Sequence, residues 1–282
     1  MAERDEDRQR TLIFVDMLGF AQHTLRNPTR LFESGPDEHG FVVSGTTPLQ
    51  SRVVRFQRVL DLLISAHSTT GGVSAHVFSD CAYVDMGTSI RAARAAADMM
   101  RDFIRFEVPV RMGIGRGTYY AFKHSTESAD TRLVSKALFA GTAVVHSHSA
   151  EHCGAKGCRI FVHQSAVDDL ASHDDGLLMR ISITPNPEVS WEICYLPKER
   201  FSDEQLAGKL RPMDQDVSLV VHLRNIQSDS EPLSEGVQVQ YTETYSAIDR
   251  MRSKLHRGVT LSDAEAIQDK VDNDLMESLG LP

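Results

Sequence analysis

Val73-Ser-Ala-His-Val-Phe-Ser-Asp80-Cys-Ala-Tyr-Val-Asp-Met86 decides the fold. Two short runs rich in β-formers, Val73 to Phe78 and Cys81 to Met86, flank the pair Ser79-Asp80, which is the layout of a β-hairpin with Asp80 at its tip. Gly71-Gly72 breaks the chain just before it. Upstream, Val53, Phe56, Leu60 and Leu63 recur at helical spacing and predict an amphipathic helix. Asn27 to Pro48, with its Pro, Gly, Ser and Asp clusters, reads mostly as loop.

Downstream, Ile90, Ala93, Ala97, Met100 and Ile104 predict a second helix, and the many alanines favour it. Val108, Val110, Met112 and Ile114 then alternate at period two, as a strand does. Thr11-Leu-Ile-Phe-Val-Asp16 is a nearly continuous apolar run with β-branched members, the pattern of a central strand covered on both faces. The order strand, helix, strand, strand, helix, strand is the ferredoxin-like βαββαβ unit. An α+β fold is expected, with an antiparallel-rich sheet and flanking helices.

Beyond it, Gly141 to Cys153 predicts a helix, Arg159 to His163 a strand, and Leu177 to Ile183 with Ser190 to Leu196 a hairpin around Pro185-Asn-Pro187. A catalytic domain over residues 1–197 and a C-terminal linker with helical appendage over residues 198–282 follow from this reading. Tyr241, Tyr245, Ile248, Met251 and Leu255 mark one helix of the appendage, and a second is expected after Thr260.

The chain of 282 residues carries a net charge of −9, which excludes broad binding to duplex nucleic acid, a task for clustered Lys and Arg. No run approaches the ~20 apolar residues of a membrane-spanning helix, and the N-terminus lacks a signal-peptide pattern. A cytoplasmic protein without direct membrane insertion is expected. Its four cysteines are scattered without CxxC spacing and are expected to be reduced thiols.

Asp16 closes the first strand and Asp80 tips the hairpin, so the ferredoxin-like order brings both to one edge of the sheet. Aspartate is common in turns, but two at that edge suit a pair of divalent metal ions, which prefer carboxylate oxygens and substrate phosphates. Met17-Leu-Gly-Phe20 follows Asp16; Gly19 lets backbone approach a ligand, and successive N–H groups can cradle phosphate.

Phe14-Val-Asp16-Met-Leu-Gly-Phe20 and Val77-Phe-Ser-Asp80 resemble the two metal-binding segments of class III nucleotide cyclase catalytic domains. Val110-Arg-Met-Gly-Ile-Gly-Arg-Gly117, Gly141-Thr-Ala-Val144, Glu151, Gly157 and Arg159-Ile-Phe-Val162 resemble the family's later strands and helix, so the likeness covers roughly residues 10–197. The resemblance implies two Mg²⁺ or Mn²⁺ ions per site, held by Asp16, Met17 and Asp80. It also implies a nucleotide cradle at Met17, Leu18, Gly19 and Phe20, a nucleoside triphosphate substrate, and a homodimer with composite active sites.

The departures from the family matter. Val145 and Ser149 stand where the family presents an Asn and an Arg that steady the pentavalent phosphorus, and Leu138 stands at a purine-selecting position. The hairpin around Pro185 has no obvious triphosphate-binding Lys. Arg116 and Arg132, with Lys136 beside the latter, are the candidate replacement cations. In its first metal segment, its Phe78-Ser-Asp80 and its altered base-selecting position, the chain is similar to the pyrimidine cyclases of bacterial anti-phage (Pycsar) systems. That likeness implies UTP, then CTP, as substrate, and a separate effector that reads the cyclic nucleotide. A purine cyclase and a catalytically silent nucleotide sensor are the alternatives. His146, His148, His152, Cys153 and Cys158 invite a zinc reading, but their spacing matches no standard finger, and packed helix residues are the preferred account.

Overall fold

Thr11 to Val15 is buried without interruption, as a strand covered on both faces requires. In the computed structural model, which describes residues 9–26, 48–67, 73–127, 133–173, 176–181, 184–196, 219–224, 226–227 and 235–255, this run lies in β1 (Gln9–Met17). The short α1 (Phe20–Arg26) and the long α2 (Pro48–His67) come next, then β2 (Ser74–Val77) and β3 (Cys81–Asp85), joined at the expected hairpin. α3 (Ser89–Arg105) and β4 (Val110–Thr118) complete the βαββαβ unit. Of the loop expected over Asn27 to Pro48, residues 27–47 lie outside the described residues and Pro48 instead opens α2; the helix expected after Thr260 also lies outside them.

The next elements are β5 (Tyr120–Glu127), β6 (Leu133–Ala140), α4 (Thr142–Glu151), β7 (Ile160–Val162), α5 (Gln164–Ala171), β8 (Leu178–Arg180), β9 (Trp191–Ile193) and α6 (Glu235–Lys254). The main sheet has seven strands in the order β2-β3-β1-β4-β7-β9-β8, and its first four repeat the ferredoxin-like arrangement. Only the β4–β7 pairing is parallel. β5 and β6 form a separate two-stranded sheet that the sequence patterns do not announce. β8 and β9 are the expected hairpin on either side of Pro185.

Side-chain alternation sorts the sheet into two faces. Ile13, Val15 and Met17 sit opposite Ile114, Met112 and Val110 and share the main core with α2 and α3, where Phe56 stacks on Phe103 at 5.3 Å. On the other face, Leu12, Phe14 and Asp16 sit opposite Gly115, Gly113 and Arg111. α4 lies directly on those glycines. A Cβ at Gly113 would fall 2.1 Å from the Ser147 carbonyl oxygen, and one at Gly115 would fall 2.3 Å from the Ser147 nitrogen. The alternating Gly113, Gly115 and Gly117 therefore set how closely α4 approaches the strand.

The C-terminal segment shares this core. Leu219, Val220, Leu223 and Ile226 belong to it together with Tyr241, Ala247, Ile248 and Met251 of α6. Ile248 and Met251 are almost wholly buried, each contributing about 1.5–3 kcal/mol. No described helix is long and apolar enough to cross a membrane.

Candidate functional site

Asp16 and Asp80 meet because of register. Asp16 pairs with Cys81 across β1–β3, and the Met17 N–H donates to the Asp80 carbonyl at 2.8 Å, tying the hairpin tip to the end of β1. The Leu18 N–H then donates to the Pro109 carbonyl at 2.9 Å. Gly19, at φ 79°, turns the chain into α1 in a conformation few other residues adopt. Asp16, Met17, Leu18, Gly19, Phe20 and Asp80 line one cavity of about 780 Å³, a size that suits a small-molecule ligand. The sequence reading assigned these six residues to one site, and the structure brings them together.

The electrostatics are unusual for a carboxylate. Burial pushes the Asp16 carboxyl up to about 7; Glu151 and Asp80 push the same way, and Arg111 opposes them. Arg111 faces Asp16 across β1–β4, yet its Nε donates to Glu151 Oε1 at 2.5 Å and its Nη1 to the Ala155 carbonyl at 3.2 Å. Glu151 is wholly buried at the end of α4 and also contacts the His152 ring. Among the described residues no hydrogen bond reaches the Asp16 carboxylate.

Two carboxylates at one cavity, one of them desolvated and without a bonded partner, suit a hard divalent cation. Among the described residues no cluster of three or more His, Cys, Asp or Glu side chains is arranged to hold a metal ion. A metal held by Asp16 and Asp80 would have to take its remaining ligands from backbone, substrate or water, as Mg²⁺ commonly does.

The other candidates are placed differently. Arg116 pairs with Thr11, five residues along β1 from Asp16, or roughly 17 Å at strand rise. It alternates onto the opposite face, so one chain does not bring the two together. Its N–H donates to Ser165 Oγ. Arg132 lies outside the described residues, as do the side chains of Lys136 and Leu138. Val145 is 64% exposed on α4, and Ser149 accepts a hydrogen bond from Asn186 Nδ2 at 2.9 Å.

The histidines form ring stacks. His148 and His152 stack 4.0 Å apart, with Phe14 tilted against His148 and stacked with His152, while His146 and His163 stack at 4.2 Å.

Three further lining residues escaped the sequence reading: Lys156 in the turn after α4, and Glu235 and Gln240 of α6. A lone Lys in Gly154-Ala-Lys156-Gly157 carries no distinguishing signal, and nothing in the α6 periodicity says where the helix docks. Arg111 was legible only as part of a strand; its pairing with Glu151, forty residues away, is a three-dimensional fact.

No protein-family model matches the chain, and no curated protein matches it. Solved structures similar to it include guanylyl and adenylate cyclases. The guanylyl cyclase Cya2 is 16% identical, with 66% of this chain and 92% of that chain covered and a TM-score of 0.43. The dimeric guanylyl cyclase domain of the RhoGC fusion protein from the aquatic fungus Blastocladiella emersonii is 12% identical, with 66% and 96% covered and a TM-score of 0.45. An adenylate cyclase from Trypanosoma brucei, in its monomeric state, is 14% identical, with 71% and 95% covered and a TM-score of 0.45.

Proposed function

We propose that this chain is a nucleotide cyclase that converts a nucleoside triphosphate to its 3′,5′-cyclic monophosphate and pyrophosphate. One observation carries the reading: Asp16 and Asp80 meet at the end of a ferredoxin-like sheet, in a cavity that the Met17–Phe20 turn also lines. Asp16, Asp80 and the Met17 backbone are the groups that hold Mg²⁺ or Mn²⁺. Bound there, divalent cations lower the pKa of the ribose 3′-hydroxyl and neutralise the triphosphate. The chain's own groups orient the ligand: the backbone after Asp16 cradles phosphate, and the walls fix the 3′-oxygen in line with the α-phosphorus. The new bond joins the 3′-oxygen to the α-phosphorus, the bond to the β-phosphate oxygen breaks, and the hydroxyl proton leaves to solvent.

The finer reading is a pyrimidine cyclase with UTP preferred over CTP. It is supported by the likeness of Phe14–Phe20 and Phe78–Asp80 to the Pycsar enzymes and by the apolar Leu138 at the base-selecting position. An apolar residue there leaves a purine's polar edge without a partner, which costs about 1–3 kcal/mol. On the same likeness, the active form is a homodimer with composite sites, and the cyclic product is read by a separate effector in anti-phage defence. The exposed Val145 and Phe78 suit an interface. A silent nucleotide sensor is the second reading, favoured by Val145 and Ser149 in place of the Asn and Arg.

Incubation with ATP, GTP, CTP and UTP in turn, with Mn²⁺ or Mg²⁺, and mass spectrometry of the products tests the activity and the base assignment. Cyclic UMP as the main product is expected. A dominant cyclic purine would overturn the base assignment alone, and no product from any triphosphate would leave the sensor.

A further inference from the structure

Lys156 stands in the wall of the cavity that holds Asp16 and Asp80, in the turn between α4 and β7. That turn is fastened at three positions around the lysine. The Ala155 carbonyl accepts from Arg111 Nη1 at 3.2 Å. The Gly157 N–H donates to Gln240 Oε1 at 2.6 Å, and the Cys158 N–H donates to Thr244 Oγ1 at 2.8 Å. Gly157 sits at φ 98°, and a Cβ there would lie 2.9 Å from the Thr244 nitrogen, so turn and helix are in direct contact. Both neighbours of Lys156 are thus pinned, while its own ammonium makes no ion pair among the described residues.

The cavity's charges decide what this ammonium is for. Asp16, Asp80 and Glu235 line the walls with three carboxylates against one lysine. Without metal the cavity repels a polyphosphate. With divalent cations on the aspartates the balance reverses, and Lys156 is then a cation placed for phosphate oxygens that the metals do not cover. A lysine ammonium suits this role as a point charge with three donors. The family's hairpin lysine is missing around Pro185, and Lys156 provides the same charge from another element of the chain.

We propose that the Ala155–Cys158 turn, clamped by α6, is the triphosphate-binding element of this site, with Lys156 as its cation and Gln240 and Thr244 as positioning residues. The proposal rests on the cyclase reading above and makes the C-terminal helix part of the substrate site.

Calorimetric titration of the full chain with tripolyphosphate in saturating Mg²⁺ tests it without requiring turnover. Lys156→Ala is expected to weaken binding roughly 10-fold or more, the scale of a lost charged hydrogen bond, and Lys156→Arg to recover most of it. In turnover, Lys156→Ala should raise KM far more than it lowers kcat. Gln240→Ala should raise KM in the wild-type background but add little to Lys156→Ala, because it acts through the lysine. Product formation by Lys156→Ala with wild-type KM and wild-type tripolyphosphate affinity would overturn the proposal and leave the cyclase standing. Absence of any cyclic product, together with Mn²⁺ binding that is unchanged in Asp16→Asn, would instead overturn the cyclase reading itself.

Discussion

Glu192 of β9 and Asp16 of β1 are both carboxylates held in the sheet near an arginine, and they are treated in opposite ways. Glu192 is wholly buried and fully engaged. Arg159 Nε donates to its Oε2 at 2.7 Å, Arg250 Nη2 reaches its Oε1 at 3.3 Å, and the Arg159 guanidinium also lies 4.8 Å above the Phe161 ring. Asp16 faces Arg111, but that arginine is bonded to Glu151 and to the Ala155 carbonyl. One carboxylate is neutralised inside the chain, and the other, raised to about 7 by burial, has no hydrogen bond among the described residues. Ionising a half-buried carboxylate left in that state is costly, and a divalent cation bound beside it would offset that cost.

The largest expected effects come from removing each carboxylate in turn. Asp16→Asn and Asp80→Asn should each lower turnover by more than about 100-fold, since loss of a ligand exceeds the 10–100-fold cost of losing a group that merely supports one. Circular dichroism should show the fold intact, and normal turnover in either variant would end the two-metal assignment. Glu192→Gln should do the reverse. Leaving Arg159 buried and uncompensated is expected to cost about 3–5 kcal/mol in denaturant unfolding. Turnover per folded molecule should be largely kept, because Gln240 and Thr244 still hold α6 against the turn. Unchanged stability with lost activity would erase the contrast between the two regions.

The two regions were not equally legible in the sequence. The Asp16 region was, because a continuous apolar run ending in Asp, a hairpin tipped by Asp80 and two helices of clear periodicity fix strand order, and strand order fixes which ends meet. Gly113, Gly115 and Gly117 were visible as residues, but their use emerges only when α4 lies against them. The Glu192 region was invisible, since Arg159, Glu192 and Arg250 come from three separated segments and no local pattern pairs them. The same limit hid Lys156 and the docking of α6. Local periodicity reports which face of an element is apolar, not which distant element covers it.

Glu151→Gln sharpens the comparison by pushing Asp16 toward the state of Glu192. The substitution removes the charge that, after burial, does most to raise the Asp16 carboxyl, and it frees Arg111 from its tightest bond. Both changes act in one direction. The Asp16 carboxyl, followed by ¹³C NMR in metal-free protein, should titrate below its wild-type midpoint of about 7, moving toward the ordinary carboxylate range. An unchanged or higher midpoint would mean that Glu151 is not the neighbour holding Asp16 up.

The smallest effect is on stability against pH. In the unfolded chain Asp16 titrates near its ordinary value of 3.8, and in the folded, metal-free protein near 7. Between those values the folded state holds more protons than the unfolded one, so this residue makes stability fall as pH rises, with the full penalty present above 7. Other groups add their own pH dependence, including His148 and His163, which burial holds below their usual range. Comparison of wild type with Asp16→Asn cancels them, because both proteins carry them. Without metal, Asp16→Asn should melt with the wild type near pH 4 and progressively above it as pH rises, with the gap levelling off beyond pH 7. For a chain of this size each kcal/mol moves the midpoint by roughly 2–4 °C, so a gap of a few degrees is expected. Mn²⁺ should close or reverse it, since a cation held by Asp16 would bind only the folded wild type and stabilise that state by mass action. A gap independent of pH would place the cost of Asp16 in packing rather than charge, and a gap that Mn²⁺ leaves untouched would remove the cation from this carboxylate.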